Sequence, residues 1–382
     1  MALWENRSAR YQRRGDRSIL DGVDAPPAPR WLEWGRKRED EEMDEVSIIG
    51  VDLAKSTFHV HGAGKDGSAI FRKKLTRRQF PEFMARQQPS TVAMEACGSS
   101  NYWARELSLM GHDVRLIAPI YVKPFLKRQK NDAADAEAIV EAAQRPSMRF
   151  VEPKTSDQQA RAMLFRTREQ LVRQRTETIN SLRSYLAEFG IIAAQGAVGV
   201  SQIKDLLENI EPELPALVLD LAAGLLRRID QQTVELDGLR KHMNAVSGVG
   251  ETARRLRTLP GVGPIGALAI ETFAPEMSTF RRGRDFASWL GLVPRQHSTG
   301  GKQRLGRTTK MGQRDIRRLL ISGAMAVIRW AVRRPGSFGP WLQAMLGRKP
   351  RLVAAIALAN KMARAIWAMM TKNEDYRGSI SA

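Results

Sequence analysis

"VSIIGVDLA" at residues 46–54 and "STFHVHGA" at 56–63 are two short apolar runs parted by one lysine, and a single acid, Asp52, interrupts the first. Runs of this length, rich in Val, Ile, Phe and Thr and punctuated by Gly, read as β-strands. Working outward, "SAIFRKKL" supplies a third strand across a turn. A helical stretch follows, then a strand in "STVAMEA", a helix in "SNYWARELSLMGH", a strand in "DVRLIAPI" and the helical "NDAADAEAIVEAAQ". Three strands joined by tight turns and followed by alternating helix and strand predict a mixed α/β sheet.

That order suits a ribonuclease-H-like sheet, and the acids sit where such a sheet places a metal site. Asp52 lies inside an apolar strand, Glu95 ends "TVAME", and Asp132 and Asp135 are at i and i+3 near a helix start, on one helical face. A carboxylate in an apolar strand needs compensation for its desolvation. A divalent cation provides it and keeps open positions for phosphate oxygens. Two ions about 3.5–4 Å apart stabilise both attacking and leaving oxygens in phosphoryl transfer. An N-cap role for Asp132 and a helix-dipole role for Asp135 account for the helical pair but not for Asp52 or Glu95.

The chain has 382 residues, 61 Lys and Arg against 41 Asp and Glu, and one cysteine. Its length allows two or three domains, and the lone cysteine excludes a disulfide framework and fits a reducing compartment. There is no apolar run of about 18 uncharged residues. Residues 1–45, with "DAPPAPR" and "KREDEEMDE", lack a sustained period and read as a disordered leader rather than a signal peptide. "LVAAIALANKMARAIWAMM", from Leu352 to Met370, reads as a packed carboxy-terminal helix. Cys97 reads as a small packed side chain, and His59 and His61 as surface residues on one strand face.

Charge is not spread evenly. Between Glu251 and Ala382, 24 basic residues face 7 acidic ones, so +17 of the net +20 lies in the last third, which reads as a nucleic-acid surface. At its centre is "GLVPRQHSTGGKQRLGRTTKMG", 291–312, with Arg295, Lys302, Arg304, Arg307 and Lys310 and no acid. A P-loop is excluded: Lys302 is followed by Gln303, and no Gly precedes Gly301 at the required spacing. The hydroxyls of Ser298 and Thr299 lie among these cations, and His297 beside them faces the opposite way in an extended segment. "LPGVGPIGALAI", 259–270, resembles a helix-hairpin-helix whose Gly261 and Gly263 leave backbone N–H groups for a phosphate at a helix start. Between these regions, 154–190 forms one long helical pattern with Leu164, Leu171, Ile179, Leu182 and Leu186 along it. This reads either as a helix pair meeting another subunit or as packing within the chain.

"GVDLAKS", "MEACGSS" and "KNDAADAEAI" resemble the three acidic motifs, D-E-D-D, of the transposases of the bacterial insertion sequence 110 family. "LPGVGPIGALAI" and "GLVPRQHSTGGKQRLGRTTKMGQRDIRRLL" resemble the carboxy-terminal domain of its 1111 branch. The resemblance implies a RuvC-like domain at 46–150, a helical coiled-coil region at 151–247 and a mainly helical transposase domain at 248–382. It makes Asp52, Glu95, Asp132 and Asp135 ligands of Mg²⁺ and Ser298 the nucleophile. Ser298 is preferred to Thr299 because that branch varies Ser and Thr at the second position. The resemblance further implies donor and target DNA, a guiding bridge RNA, a homo-oligomer, taken as a tetramer, and a bacterial cytoplasmic setting without a membrane. Three other classes compete. A RuvC-type junction or repair nuclease needs the carboxylates without the serine. An actin-like ATPase needs further phosphate and adenosine loops that the chain lacks. A regulator that only binds nucleic acid needs neither Asp52 nor Glu95.

Overall fold

The structure, a computed structural model, describes residues 46–126, 132–209, 214–334 and 339–377; the leader expected at 1–45 lies outside them. The chain divides into two compact units, Met1–Pro153 and Lys154–Ala382.

In the first unit, β1 (Ile48–Leu53), β2 (Thr57–Ala63) and β3 (Ala69–Thr76) are followed by α1 (Gln79–Ala85), β4 (Thr91–Glu95), α2 (Ser100–Leu109), β5 (Asp113–Ile117), α3 (Asp132–Ala143) and β6 (Phe150–Val151). The sheet order is β3-β2-β1-β4-β5-β6. The first three strands are antiparallel neighbours, β4 runs parallel to β1 and β5 parallel to β4, and β6 closes the edge antiparallel. This is the mixed α/β sheet expected, in the order of a ribonuclease-H-like sheet. Strand alternation divides the side chains between two cores. Ile49, Val51, Val92 and Met94 meet α1 and α2, where Phe58, Phe80 and Trp103 stack edge to face. Ile48, Ala63, Ala93 and Ile117 meet α3 through Ala138, Ile139 and Val140.

Among the described residues, the second unit is helical apart from one hairpin. Its elements are α4 (Ser156–Ala187), α5 (Ala197–Asn209), α6 (Ala216–Val249), α7 (Glu251–Arg257), α8 (Pro264–Phe273), α9 (Gly283–Trp289), β7 (Pro294–Gln296), β8 (Leu305–Thr308), α10 (Arg314–Arg333), α11 (Gly339–Arg348) and α12 (Arg351–Lys372). A capping box between Thr155 and Gln158 starts α4. The long helices α4 and α6 lie antiparallel: Leu182 and Leu186 meet Ala222 and Ile229, whereas Phe165 and Met243 join the core of the carboxy-terminal helices. The leucine pattern of 154–190 is therefore satisfied largely within the chain. The regions 151–247 and 248–382 share that larger core. Helix α12 is long and apolar enough to cross a membrane, yet Ala354, Ala355, Leu358, Ala359, Met362, Ala363, Ile366 and Met369 lie buried in this core.

Candidate active site

Two acids stand side by side at the carboxyl ends of parallel neighbours. The β1–β4 register runs from Ile48 opposite Thr91 to Val51 opposite Met94, so Asp52 and Glu95 come next. Alternation turns both to the face that α3 covers. Gly50 lets that helix come close, since a Cβ there would lie 2.4 Å from the Ala136 carbonyl oxygen and 2.6 Å from a Val140 methyl. Asp135, one residue before Ala136, is thereby brought to the sheet. The turn after Glu95 is fixed by the Ser100 hydroxyl, which accepts from the Cys97 N–H at 3.1 Å and donates to its carbonyl at 3.0 Å. Half-buried Cys97 has a structural place there.

The acids sense one another. Burial first, and then the negative charges of Asp52 and Asp135, hold the Glu95 carboxyl above the usual carboxylate range. A group of hard oxygen donors in half-buried ground, with the charges of two raising the cost of ionising the third, suits a hard divalent cation that would relieve the repulsion. Among the described residues no three His, Cys, Asp or Glu side chains close into a ready cage. Asp132 opens α3, but its side chain lies outside those described.

Opposite Asp52 in β2 stands half-buried His59. His61 departs from the expected surface position: it is only 3% exposed, and its Nδ1 accepts from the Arg72 Nε–H at 3.3 Å. Burial, seconded by the Arg72 charge, pushes its imidazole below the ordinary range. The period-2 pattern could not show this, because the cover comes from α3 and β3.

In the second unit, segment 291–312 is a hairpin on a tightly made base. Gly291 and Gly312 both have positive φ, and a Cβ on either would lie within about 2 Å of a carbonyl oxygen of the opposite stem, 2.1 Å from Met311 and 1.7 Å from Trp289 respectively. Arg317, at 9% exposure, joins the stems by donating from one guanidinium nitrogen to the Leu290 carbonyl at 2.8 Å and to that of Met311 at 3.0 Å. Sequence reasoning missed this residue, since an arginine in "RDIRRLL" looks like any solvent-facing helical cation.

Strands β7 and β8 rise from that base. The tip is a two-residue turn, with Gly300 at φ 56° and Gly301 at φ 75° and the Lys302 N–H donating to the Thr299 carbonyl at 3.1 Å. Ser298 and Thr299 are both exposed. The Ser298 hydroxyl oxygen accepts from the Arg304 N–H at 3.3 Å. Arg295, His297, Arg307, Thr308 and Lys310 line a cavity of about 290 Å³. Three of the five cations singled out therefore converge, whereas Lys302 and Arg304 lie outside the lining. Lys310 adopts φ 55°, a left-handed conformation unusual for a residue with a side chain.

The "LPGVGPIGALAI" segment makes the turn that follows α7 and the opening turns of α8. Its glycines differ. Gly263 is exposed at the start of α8 with open space around it, while Gly261, at φ 89°, packs backbone to backbone on α10, where a Cβ would lie 3.0 Å from the Gly323 oxygen.

Comparison with known proteins agrees with both halves. Residues 49–191 match the family model of DEDD transposases of the IS110 type, described as "Transposase", and residues 253–338 match that described as "Transposase IS116/IS110/IS902 family". The chain is 47% identical to a "Probable family 20 transposase" of Pseudomonas aeruginosa, over 87% of this chain and 99% of that protein. It is 39% identical to the "Transposase for insertion sequence element IS1328" of Yersinia enterocolitica, over 86% and 98%. It is 36% identical to the "Transposase for insertion sequence element IS1111A" of Coxiella burnetii, over 89% and 94%. With likeness of this extent across both units, the chain belongs to the IS110 family of insertion-sequence transposases, enzymes that cut and rejoin DNA.

Proposed function

We propose that this transposase works with two sets of groups: the carboxylates of Asp52, Glu95, Asp132 and Asp135 in a RuvC-like domain, and the hydroxyl of Ser298 in the basic hairpin. The observation that carries the reading is the Glu95 carboxyl, held up by burial and by Asp52 and Asp135. Mutual repulsion of this kind is retained where a cation and a phosphate are to be held. Mg²⁺, bound by these acids, would supply Lewis acidity and charge compensation at the phosphate.

The remaining work falls to the chain. Ser298 Oγ bonds to a DNA phosphorus as its proton leaves. The bond from phosphorus to the departing strand oxygen breaks, and that oxygen takes up a proton. The energy of the phosphodiester is kept in the seryl ester for rejoining to a second strand. Arg295, Arg307 and Lys310 bind the phosphate oxygens through the convergent cavity. Lys302 and Arg304 flank the serine, and the exposed start of α8 at Gly263, with Gly261 behind it, steadies the duplex backbone. A bridge RNA pairing with donor and target DNA selects the sites, and the chain acts as a tetramer in the bacterial cytoplasm.

The test is a denaturing gel with a nicked substrate from the element's own ends and its RNA. Wild type should leave a protease-sensitive protein–DNA adduct. Ser298→Ala should remove it, Thr299→Ala should keep it, and Asp52→Asn should abolish strand exchange in a folded protein. An adduct that survives Ser298→Ala and vanishes in Thr299→Ala moves the nucleophile by one residue. Cutting without any adduct favours a metal-dependent nuclease.

A further inference from the structure

Beside the carboxylates, on the β2–β3 side of the sheet, lies a second hollow of about 250 Å³, walled by His59, His61, Arg72 and Lys74 and floored by Ala136 of α3. Its composition follows from the register. Lys74 stands opposite His59, and His59 opposite Asp52. Directly opposed residues share a face, so these three form one row across the sheet, which Glu95 extends on β4. Strands lie about 4.8 Å apart, which puts Lys74 roughly 10 Å from Asp52 along that row. The next row runs Arg72, His61, Gly50.

The two cations differ in how they are held. Arg72 is tethered, by the Glu137 carboxylate at 3.0 Å and by His61 Nδ1 at 3.3 Å. A guanidinium has five N–H donors, so these two bonds leave others for a ligand. Lys74 is exposed and has no carboxylate partner among the described residues. Lys73 also borders the hollow, but its side chain turns to the other face, where its ammonium lies 4.9 Å from the Phe83 ring centroid.

We propose that this hollow holds a backbone phosphate of the DNA strand whose neighbouring phosphate is presented to Asp52 and Glu95. The proposal rests on the carboxylates being the strand-cutting site. An acidic end and a basic end within one row match a phosphodiester chain laid across the sheet: one phosphate goes to the acids through a shared cation, and the next to Lys74 and the free donors of Arg72. The concave shape favours one phosphate in one place over diffuse attraction. Lys74 is then a positioning residue, reading no base.

The experiment measures binding of the full chain to a DNA duplex carrying the end of its own element, across a salt series from about 50 to 200 mM. Lys74→Ala should weaken binding about 5- to 10-fold and lower the salt slope by about one, with an unchanged melting temperature, and Lys74→Arg should restore both. Unchanged affinity and slope in Lys74→Ala would overturn the proposal. So would a loss seen only with a structured RNA probe, which would assign the hollow to RNA. Asp52→Asn, run in parallel for cutting, tests the carboxylates separately. If it still cuts, the reading of the acids fails whatever Lys74 does; if it does not cut and Lys74→Ala binds normally, only the hollow is misassigned.

Discussion

Replacing Arg317 by methionine should loosen the basic hairpin at its base while leaving the helix that carries it intact. The side chain is 9% exposed and makes two hydrogen bonds, at 2.8 Å to Leu290 and 3.0 Å to Met311, one on each stem. Hydrogen bonds to a charged partner contribute about 1.5–3 kcal/mol each. Leu290 is fully buried and its carbonyl finds no water once the arginine is gone, which places its bond toward the upper end. Met311 is exposed, so its carbonyl is rehydrated and its loss is small. Burying the guanidinium carries a desolvation cost that methionine avoids, which subtracts from the sum. A net loss of about 3 kcal/mol results, and in a domain of roughly 150–250 residues that lowers the melting midpoint by about 6–12 °C. Differential scanning calorimetry reads the shift. Limited trypsin digestion reads its location, with cleavage after Arg295, Lys302, Arg304, Arg307 and Lys310 accelerated ahead of the rest. A midpoint within about 1 °C of wild type, with an unaltered digestion pattern, would refute the clamp.

Three further outcomes are expected. Gly323→Ala places a Cβ 1.9 Å from the Gly261 oxygen, so α10 and the turn between α7 and α8 must part, and denaturant unfolding should show a loss of about 2 kcal/mol despite alanine's better helix propensity. Burial raises the Glu271 carboxyl above its ordinary range, against the pull of Arg161 and the Ala253 N–H. A raised acid stabilises the fold below its unfolded value, and this contribution is lost as pH rises through the folded value; Glu271→Gln should therefore flatten the fall in melting temperature on the neutral side, and an unchanged slope would exclude it. Adding Mg²⁺ at a hundredfold excess over its Kd should stabilise the wild type by about 2.7 kcal/mol in calorimetry, and Asp52→Asn should lose most of that gain.

What could be seen in the sequence was what is local. The short apolar runs "VSIIGVDLA" and "STFHVHGA" disclosed β1 and β2, and the acids Asp52 and Glu95 stood out because charge inside an apolar strand needs a reason. Their adjacency rests on the parallel pairing of β4 with β1, which the fold supplies. Residues whose role depends on a distant partner stayed hidden. Phe165 looks like one more apolar position on a long helix, and only the fold joins it to Phe273 at a ring distance of 5.2 Å. His61 and Arg72 are eleven positions apart and meet because two strands pair; Arg317 and Leu290 are separated by a loop that each helps to close. Gly261 drew notice as a phosphate-binding glycine, while its backbone contact with Gly323 had no local signature.

The antiparallel helices α4 and α6 form a stiff arm. At 1.5 Å per residue the 32 residues of α4 rise about 48 Å. One end is anchored with Phe165 and Met243 in the main core, and the other has its own apolar cluster around Leu182 and Ile229. Because the two clusters are separate, the span between them is adjustable. Matched seven-residue deletions or insertions in both helices would shorten or lengthen the arm in steps of about 10.5 Å with only a small rotation of its tip, leaving each anchorage as it is. Chains of this architecture can thus differ in reach while keeping the same carboxylates and the same basic hairpin.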